Sequence, residues 1–333
     1  MQKNNAIAGT GGAHYLPYEQ RNGSEATVYF TKELSAEGLQ KIFRRISSHL
    51  TGKVGIKLHT GEKNGPNIIP RAWVEHLILQ ELPSAIIIET NSYYEGDRYT
   101  TPQHRETLAV NGWNFAPVDI LDEDGAQSFP IKNGKWFDEM SMGKHLKEYD
   151  SILALTHFKG HNMGGFGGSN KNIGIGCADG RIGKAMIHTT PGQDNMWDVN
   201  KEKFMECMTE STKAVTDYFG EHIVYINVMR NMSVSCDCEG VWAEPVVTPN
   251  VGICASTDIL AVDQACVDIL YAMKKSDRRA LTERIESRHG HRQLSYMKEL
   301  GMGCDRYQLV DIDHKDRIIS AKDAVAEVVP FEA

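Results

Sequence analysis

The sequence predicts an α/β fold built on a largely parallel sheet flanked by helices, either as one unit or as two closely packed α/β lobes. Three observations carry this. Strand-like and helix-like segments alternate along most of the chain with short joins. Two strand-like runs, residues 85–89 (AIIIE) and 151–158 (SILALTHF), are apolar on both faces, as strands covered on both sides must be. Polar and ionisable residues gather directly after such runs, where the carboxyl ends of parallel strands bound a ligand crevice.

The elements follow in order. Residues 26–31 are β-prone, and Ser35 caps a helical pattern with apolar residues at Leu39, Ile42, Phe43, Ile46 and Leu50. Residues 54–58 form a second strand, 70–82 a helix with proline in its first turn, and 85–89 a third strand. Thr101 and Pro102 open a helix reaching about Trp113, residues 117–121 are extended, and Asn133-Gly134 marks a hairpin turn between Phe129 and Phe137. After the strand at 151–158, residues 159–184 are dense in glycine and poor in apolar periodicity, which reads as a long functional loop. A helix is expected over 201–219, strands over 224–228 and 251–255, helices over 259–273, 278–288, 294–300 and 321–328, and a late strand over 307–312. Residues 1–25 read as a loosely ordered leader and 26–333 as the folded unit, divided at 26–150 and 151–333 if there are two lobes.

Composition narrows the function. A chain of 333 residues with 41% hydrophobic and 24% charged content can bury a large core. Its formal charge of −8 lacks the positive field that nucleic acid or an anionic membrane would require, so the expected partner is a small molecule. With no apolar run of membrane-spanning length and no export signal, the expected location is the cytoplasm, where the seven cysteines serve as reduced thiols or thiolate ligands.

Four constellations could carry chemistry. His157, Lys159 and His161 leave a buried strand together, offering imidazoles for metal or proton chemistry and an ammonium; hydrogen bonding within a loop is the plainer alternative. Gly167, Gly168, Ser169, Asn170 and Lys171 lie in a glycine-dense stretch whose amides and side chains could converge on an anion. It is neither a Walker loop nor a dinucleotide fingerprint, and a turn packed tightly against another backbone is the competing reading. Cys236 and Cys238 flank one residue and can chelate an ion or part of a cluster, with Cys177 as a third thiolate and His157, His161 or His188 completing the set. Reduced loop cysteines, or a redox pair, are the competing readings, while Cys207, Cys254, Cys266 and Cys304 read as core fillers. Lys57 and His59 end one strand and Glu89 the next; Lys57 either faces the crevice as a catalytic group or pairs with Glu89. Asp258 is placed as a helix cap, and Asp263 and Gln264 as cleft-facing.

At VGIKLHTGE, THFKGHNMGGFGGSNKNIGIG, YINVMRN, CDC and ASTDILAVDQACVDIL, in this order, the chain resembles the DUF362 family. The resemblance implies an iron–sulfur protein, because many members carry a ferredoxin-like insertion with two CxxCxxC runs. That insertion is missing here, since His188 passes through TTPGQDNMWD straight to the helix near Lys201. The combined expectation is a metal- or iron–sulfur-binding protein, with an iron–sulfur cluster or a divalent metal ion as cofactor, acting on a small acidic molecule in a cleft lined by cysteine, histidine and lysine. Two alternatives stand beside it: a metal-free enzyme or binding protein holding a carboxylate or phosphate on the glycine loop, and a non-catalytic assembly or redox-partner protein.

Overall fold

The structure, a computed structural model, describes residues 14–189, 195 and 199–330. Its elements, in chain order, are β1 (Glu25–Thr31), α1 (Ala36–Phe43), β2 (Val54–Lys57), α2 (Arg71–Glu81), β3 (Ile86–Glu89), α3 (Thr101–Val110), β4 (Val118–Ile120), β5 (Ala126–Pro130) and β6 (Glu139–Gly143). Then come β7 (Ser151–His157), β8 (Lys159–His161), β9 (Gly165–Gly167), α4 (Ser169–Gly176), α5 (Gly183–Thr189), α6 (Lys201–Phe219) and β10 (Ile223–Met229). The chain continues with β11 (Gly252–Ser256), α7 (Ile259–Ala272), α8 (Lys275–Ser287), α9 (Arg292–Glu299), β12 (Arg306–Asp311), β13 (Arg317–Ile319) and α10 (Ala321–Ala324).

Among the described residues the main sheet runs β13-β12-β1-β11-β10-β7-β2-β3-β4. The neighbours from β10 through β7, β2 and β3 to β4 are parallel, as are β1 and β12, whereas β11 lies antiparallel to both β1 and β10. The expected mostly parallel sheet is therefore present, and strands from 26–150 and 151–333 interleave within it, β1 standing between β12 and β11.

Apolar alternation seats the helices. Along β7, Ile152 and Ala154 enter one core with residues of α4, α6 and α7, while Leu153 and Leu155 enter the other with residues of α1 and α2. In α1 the side chain of Ser35 accepts the Gly38 amide at 2.9 Å, and Leu39, Ile42 and Phe43 are buried as the spacing predicts. Each such side chain contributes about 1.5–3 kcal/mol.

Several expectations change. The supposed loop at 159–184 is mostly regular: β8 and β9 pair as a small hairpin, α4 follows at once, and α5 begins at Gly183. Glycine masks the pattern there because its neighbours supply the packing. The helix from Thr101 stops at Val110 because the Asn111 amide turns into the loop after β2 and donates to the carbonyls of Thr60, Gly61 and Glu62. The last helix ends at Ala324. The predicted hairpin exists, Phe129 pairing with Met140 on β5 and β6, with Asn133 in the left-handed region at φ 61°.

Of the expected leader, residues 1–13 lie outside the described residues, and the part that follows rests on the body. Arg21 is buried and holds Asp268 of α7 through two nitrogens at 2.6 and 2.7 Å. No described helix is long and apolar enough to cross a membrane.

Candidate functional site

The parallel strands deliver their carboxyl ends to one edge, and the ionisable residues that end them meet there. Lys57, the last residue of β2, is buried, and its Nζ donates to Glu89 Oε2 at 2.8 Å, to the Leu58 carbonyl at 2.9 Å and to Asn172 Oδ1 at 3.3 Å. Glycine at 176 makes room for it, since a Cβ there would lie 2.2 Å from Lys57 Cε. Burial opposes the Glu89 carboxylate, but the charges of Lys57 and Arg98 outweigh it and hold the group well below its ordinary range. Arg98 in turn engages Glu62 at 2.7 Å, and the Tyr94 hydroxyl donates to the same carboxylate at 2.6 Å. Lys57 is thus committed to Glu89, the alternative weighed from sequence, while still lining the cleft.

The sulfur-bearing segment lies between β10 and β11. Cys236 caps a short helical turn, Asp237–Trp242, its sulfur accepting the Cys238 amide at 3.4 Å and the Lys171 ammonium at 3.7 Å. Interaction with Cys238, the Lys171 charge and His161 together draw the Cys236 thiol well below the usual thiol range, while its partner Cys238 is driven well above it. Cys236 is buried and Cys238 is half-buried, lining the cleft. Between them Asp237 points the other way, accepting from His157 Nδ1 at 2.9 Å and Lys159 Nζ at 2.9 Å.

That arrangement removes two expected catalytic groups from the cleft. The second ring nitrogen of His157 faces the Arg230 carbonyl at 2.6 Å, so both nitrogens are occupied and neither is free for substrate or metal. Lys159 is buried against Asp237, whose charge outweighs the burial and holds the ammonium above its ordinary range. Both act as supports for the sulfur segment, drawn there by a carboxylate 80 residues downstream of His157.

His161 does face the sulfurs. Its Nδ1 accepts the amides of Gly164 at 2.8 Å and Met163 at 3.3 Å, leaving Nε2 as the nitrogen that can serve a ligand. A ring nitrogen of His161 and the sulfurs of Cys236 and Cys238 all lie within 4.8 Å of one another, a group that could hold a metal ion. His188, on α5, donates from Nδ1 to the Lys184 carbonyl at 2.7 Å, and its ring stacks on Tyr93. It lines the cleft but does not join the sulfur group. Burial lowers His59 and His188 to about 3 and, with Lys171 beside it, His161 to about 4, so all three imidazoles are neutral at pH 7.

The glycine-rich stretch is not an anion cradle. The Asp263 carboxylate, expected in the cleft, instead caps α4, taking the amides of Ser169 at 2.7 Å and Asn170 at 2.9 Å. Gly168 is needed because a Cβ there would lie 2.5 Å from Asp263 Oδ1. The Ser169 hydroxyl donates to Asn227 and the Asn170 amide to Thr209 and Gln293, while Gly167 packs against the stems of Lys159 and Lys171. Of the five predicted anion-binding residues only Lys171 lines the cleft. Cys177 is also set aside: burial pushes its thiol up to about 12, and it lies outside the sulfur group. Gln264 turns to Asp268, and Asp258 caps α7 as expected.

The cleft holds about 80 Å³ of free space. A buried water occupies about 10–15 Å³ of such space, so roughly six waters or a molecule of similar size would fill it. A larger groove of about 830 Å³ runs past Tyr15, Tyr271 and Tyr307, and none of its lining residues is a cysteine or histidine. Sequence reasoning missed Arg98 and Lys184 in the cleft. The second had a signal: Lys184 and His188 are four apart on one helix and so share a face.

A family model described as "Domain of unknown function (DUF362)" matches residues 54–268. No curated protein matches the chain. Among solved structures, the lactate racemase apoprotein from Thermoanaerobacterium thermosaccharolyticum aligns over 92% of this chain and 88% of its own, at 10% identity and a TM-score of 0.40. A crystal structure of a Thermotoga maritima protein aligns over 76% of this chain and 59% of its own, at 10% identity and a TM-score of 0.38.

Proposed function

The chain belongs to the DUF362 family, and from that premise we propose that it is a cytoplasmic protein that binds one soft divalent metal ion through Cys236, Cys238 and His161 and applies it to a small acidic molecule in the adjoining cleft. The observation that carries this is the convergence of two sulfurs and an imidazole nitrogen within 4.8 Å beside a cleft that also receives Lys171 and Lys184. Among the described residues neither lysine is paired with a carboxylate: Lys171 lies 3.7 Å from the Cys236 sulfur, and Lys184 donates to the Thr90 hydroxyl and the Asn91 carbonyl. Thiolate and neutral imidazole together suit zinc, copper, nickel or iron, and three protein ligands leave a position open to the cleft. A single ion fits better than a cluster, because the group has only two thiolates and Cys177 is not among them. Seven free cysteines agree with a reducing compartment.

Binding would displace the proton of Cys238, whose thiol is held high, whereas the already neutral His161 releases none, its ring proton passing from Nε2 to Nδ1. Affinity should therefore rise with pH by about tenfold per unit for each proton released. The test is zinc titration of the reduced protein between about pH 6 and 8, with metal analysis of the protein as purified. The Cys236→Ser, Cys238→Ser double variant should lose the ion and His161→Ala should weaken it. Equal zinc uptake by the double variant sinks the reading.

A second reading, metal-free chemistry on a Cys236 thiolate, is favoured by the lowered thiol beside the Lys171 ammonium. It predicts no stoichiometric metal and a thiolate absorbance, lost in Cys236→Ser, that persists below neutral pH.

A further inference from the structure

Three lysines line the cleft, a fourth, Lys159, lies behind it, and they are not equivalent. Lys57 is bound to Glu89, Lys159 to Asp237, and Lys171 lies against the Cys236 sulfur. Lys184 is different. It is buried yet lines the cleft, and among the described residues its Nζ donates only to neutral acceptors, the Thr90 hydroxyl oxygen at 2.7 Å and the Asn91 carbonyl. The Thr90 hydroxyl passes its own hydrogen to the Gly176 carbonyl at 3.1 Å, which fixes its oxygen as an acceptor.

The charged groups about Lys184 are Asp122, Arg98, Glu89 and Lys57, and the two carboxylates are already engaged. Asp122 takes the amides of Asn91 and Gly180, and Glu89 takes Lys57 and Thr60. Two acceptors match the two N–H bonds of a neutral amine and leave its lone pair unengaged. An ammonium ion would have a third N–H and, among the described residues, no unengaged carboxylate to receive it.

We propose that Lys184 is a nucleophile that forms an imine with a short 2-oxo acid, the carboxylate of which is held by Lys171. Only that last contact rests on the acidic ligand of the proposed function; the amine chemistry does not require the metal. In the step, the nitrogen lone pair attacks the ketone carbon while the carbonyl π pair moves to oxygen. A proton passes from nitrogen to that oxygen, one further proton from solvent lets it leave as water, and a protonated C=N bond remains on Lys184. No oxidant or reductant is consumed. The cleft volume, room for roughly six waters, matches an acid of pyruvate's size.

Burial lowers the Lys184 ammonium to about 8. At pH 7 about one amine in ten is then neutral, against about one in 2,500 for an ordinary lysine. This is the activation an imine-forming lysine requires.

The experiment traps the imine. Full-length protein is incubated separately with pyruvate and glyoxylate, reduced with sodium borohydride and mapped by peptide mass spectrometry. One N-alkylated lysine, Lys184, is expected, with trapping that rises about fivefold from pH 7 to 8 and then levels, where an unshifted lysine would rise about tenfold. Lys184→Met and Lys184→Arg should give no adduct at this peptide while keeping the far-ultraviolet circular dichroism and zinc binding of the parent. The Cys236→Ser, Cys238→Ser variant should still give the adduct. Absence of an adduct with both acids, or alkylation spread over surface lysines and unchanged in Lys184→Met, overturns the inference. Zinc binding without trapping would defeat the imine alone, and trapping without zinc binding would defeat the metal reading alone.

Discussion

Asp237 sits between two cysteines and shares neither their direction nor their role. Its buried carboxylate accepts from His157 and pairs with Lys159, and through them it fixes the turn that presents both sulfurs. Replacement by asparagine leaves a buried ammonium with no counter-charge, so Asp237→Asn should cost about 3–5 kcal/mol in urea denaturation. The pH dependence has a definite sign. Burial opposes the charged form, but the cations outweigh it and hold this carboxyl far below its ordinary value, so its contribution is present above the unfolded pKa and lost as pH falls through the acid range. Wild-type stability should therefore decline below about pH 4, with a shallower decline in the variant. At this scale the sequence marked Cys236, Cys238, His161 and Lys171 as chemical. It misplaced His157 and Lys159, because nothing local shows that their partner lies on a segment beyond β10.

Helix α4 shows what an element can hide. Its sequence, SNKNIGIG, has three residues favouring caps or turns and two glycines, so propensity argues against a helix. The opposing terms are tertiary: Asp263 caps the first amides, and the glycines admit α6 and Lys57, with a Cβ at 174 lying 2.5 Å from the Met208 carbonyl. Gly168→Ala should displace the Asp263 carboxylate and strand the Ser169 and Asn170 amides, costing about 2–4 kcal/mol in denaturant melts. Asp263→Ala should cost a similar amount. Combined, the two should cost much less than their sum, since both remove the same contact; strict additivity would show the cap to be incidental. The strongly periodic elements, α1, α6, α7 and β7, were legible because their own side chains make the pattern. The hairpin of β8 and β9 was not, because its residues are short and mostly polar or glycine.

Across the whole molecule, β1 near the start of the chain is flanked by β11 and β12 from its last third. Closing the sheet therefore requires contacts of long sequence separation. Arg21 fastens this closure: it holds Asp268 of α7, which also receives the Tyr307 hydroxyl of β12 at 2.8 Å and Gln264 at 3.0 Å. Arg21→Met leaves that carboxylate buried without a cation and should cost about 3–5 kcal/mol, read as a lower denaturation midpoint. A loss under about 0.5 kcal/mol would mean that Tyr307 and Gln264 suffice. The parallel sheet was foreseeable from the alternation of elements. The reversal of β11 was not, because a buried strand has the same apolar pattern whichever way it runs.

That reversal has a consequence for how such a site can change. Since β10 and β11 are antiparallel neighbours, the segment carrying Cys236, Cys238 and His157's partner departs at Met229 and returns at Gly252, positions that face each other in the ladder, with the Val251 amide bonded to the Met229 carbonyl at 2.9 Å. Its ends are clamped whatever lies between them, and doubling the length of such a span adds only about 0.6 kcal/mol of closure entropy. The cleft thus rests on a foundation of Lys57 and Glu89 at strand ends and Lys171 on α4, and a separately clamped segment brings the sulfur. A protein engineer can vary the rest of this segment, keeping Asp237 opposite Lys159, without changing the pairing of β10 with β11.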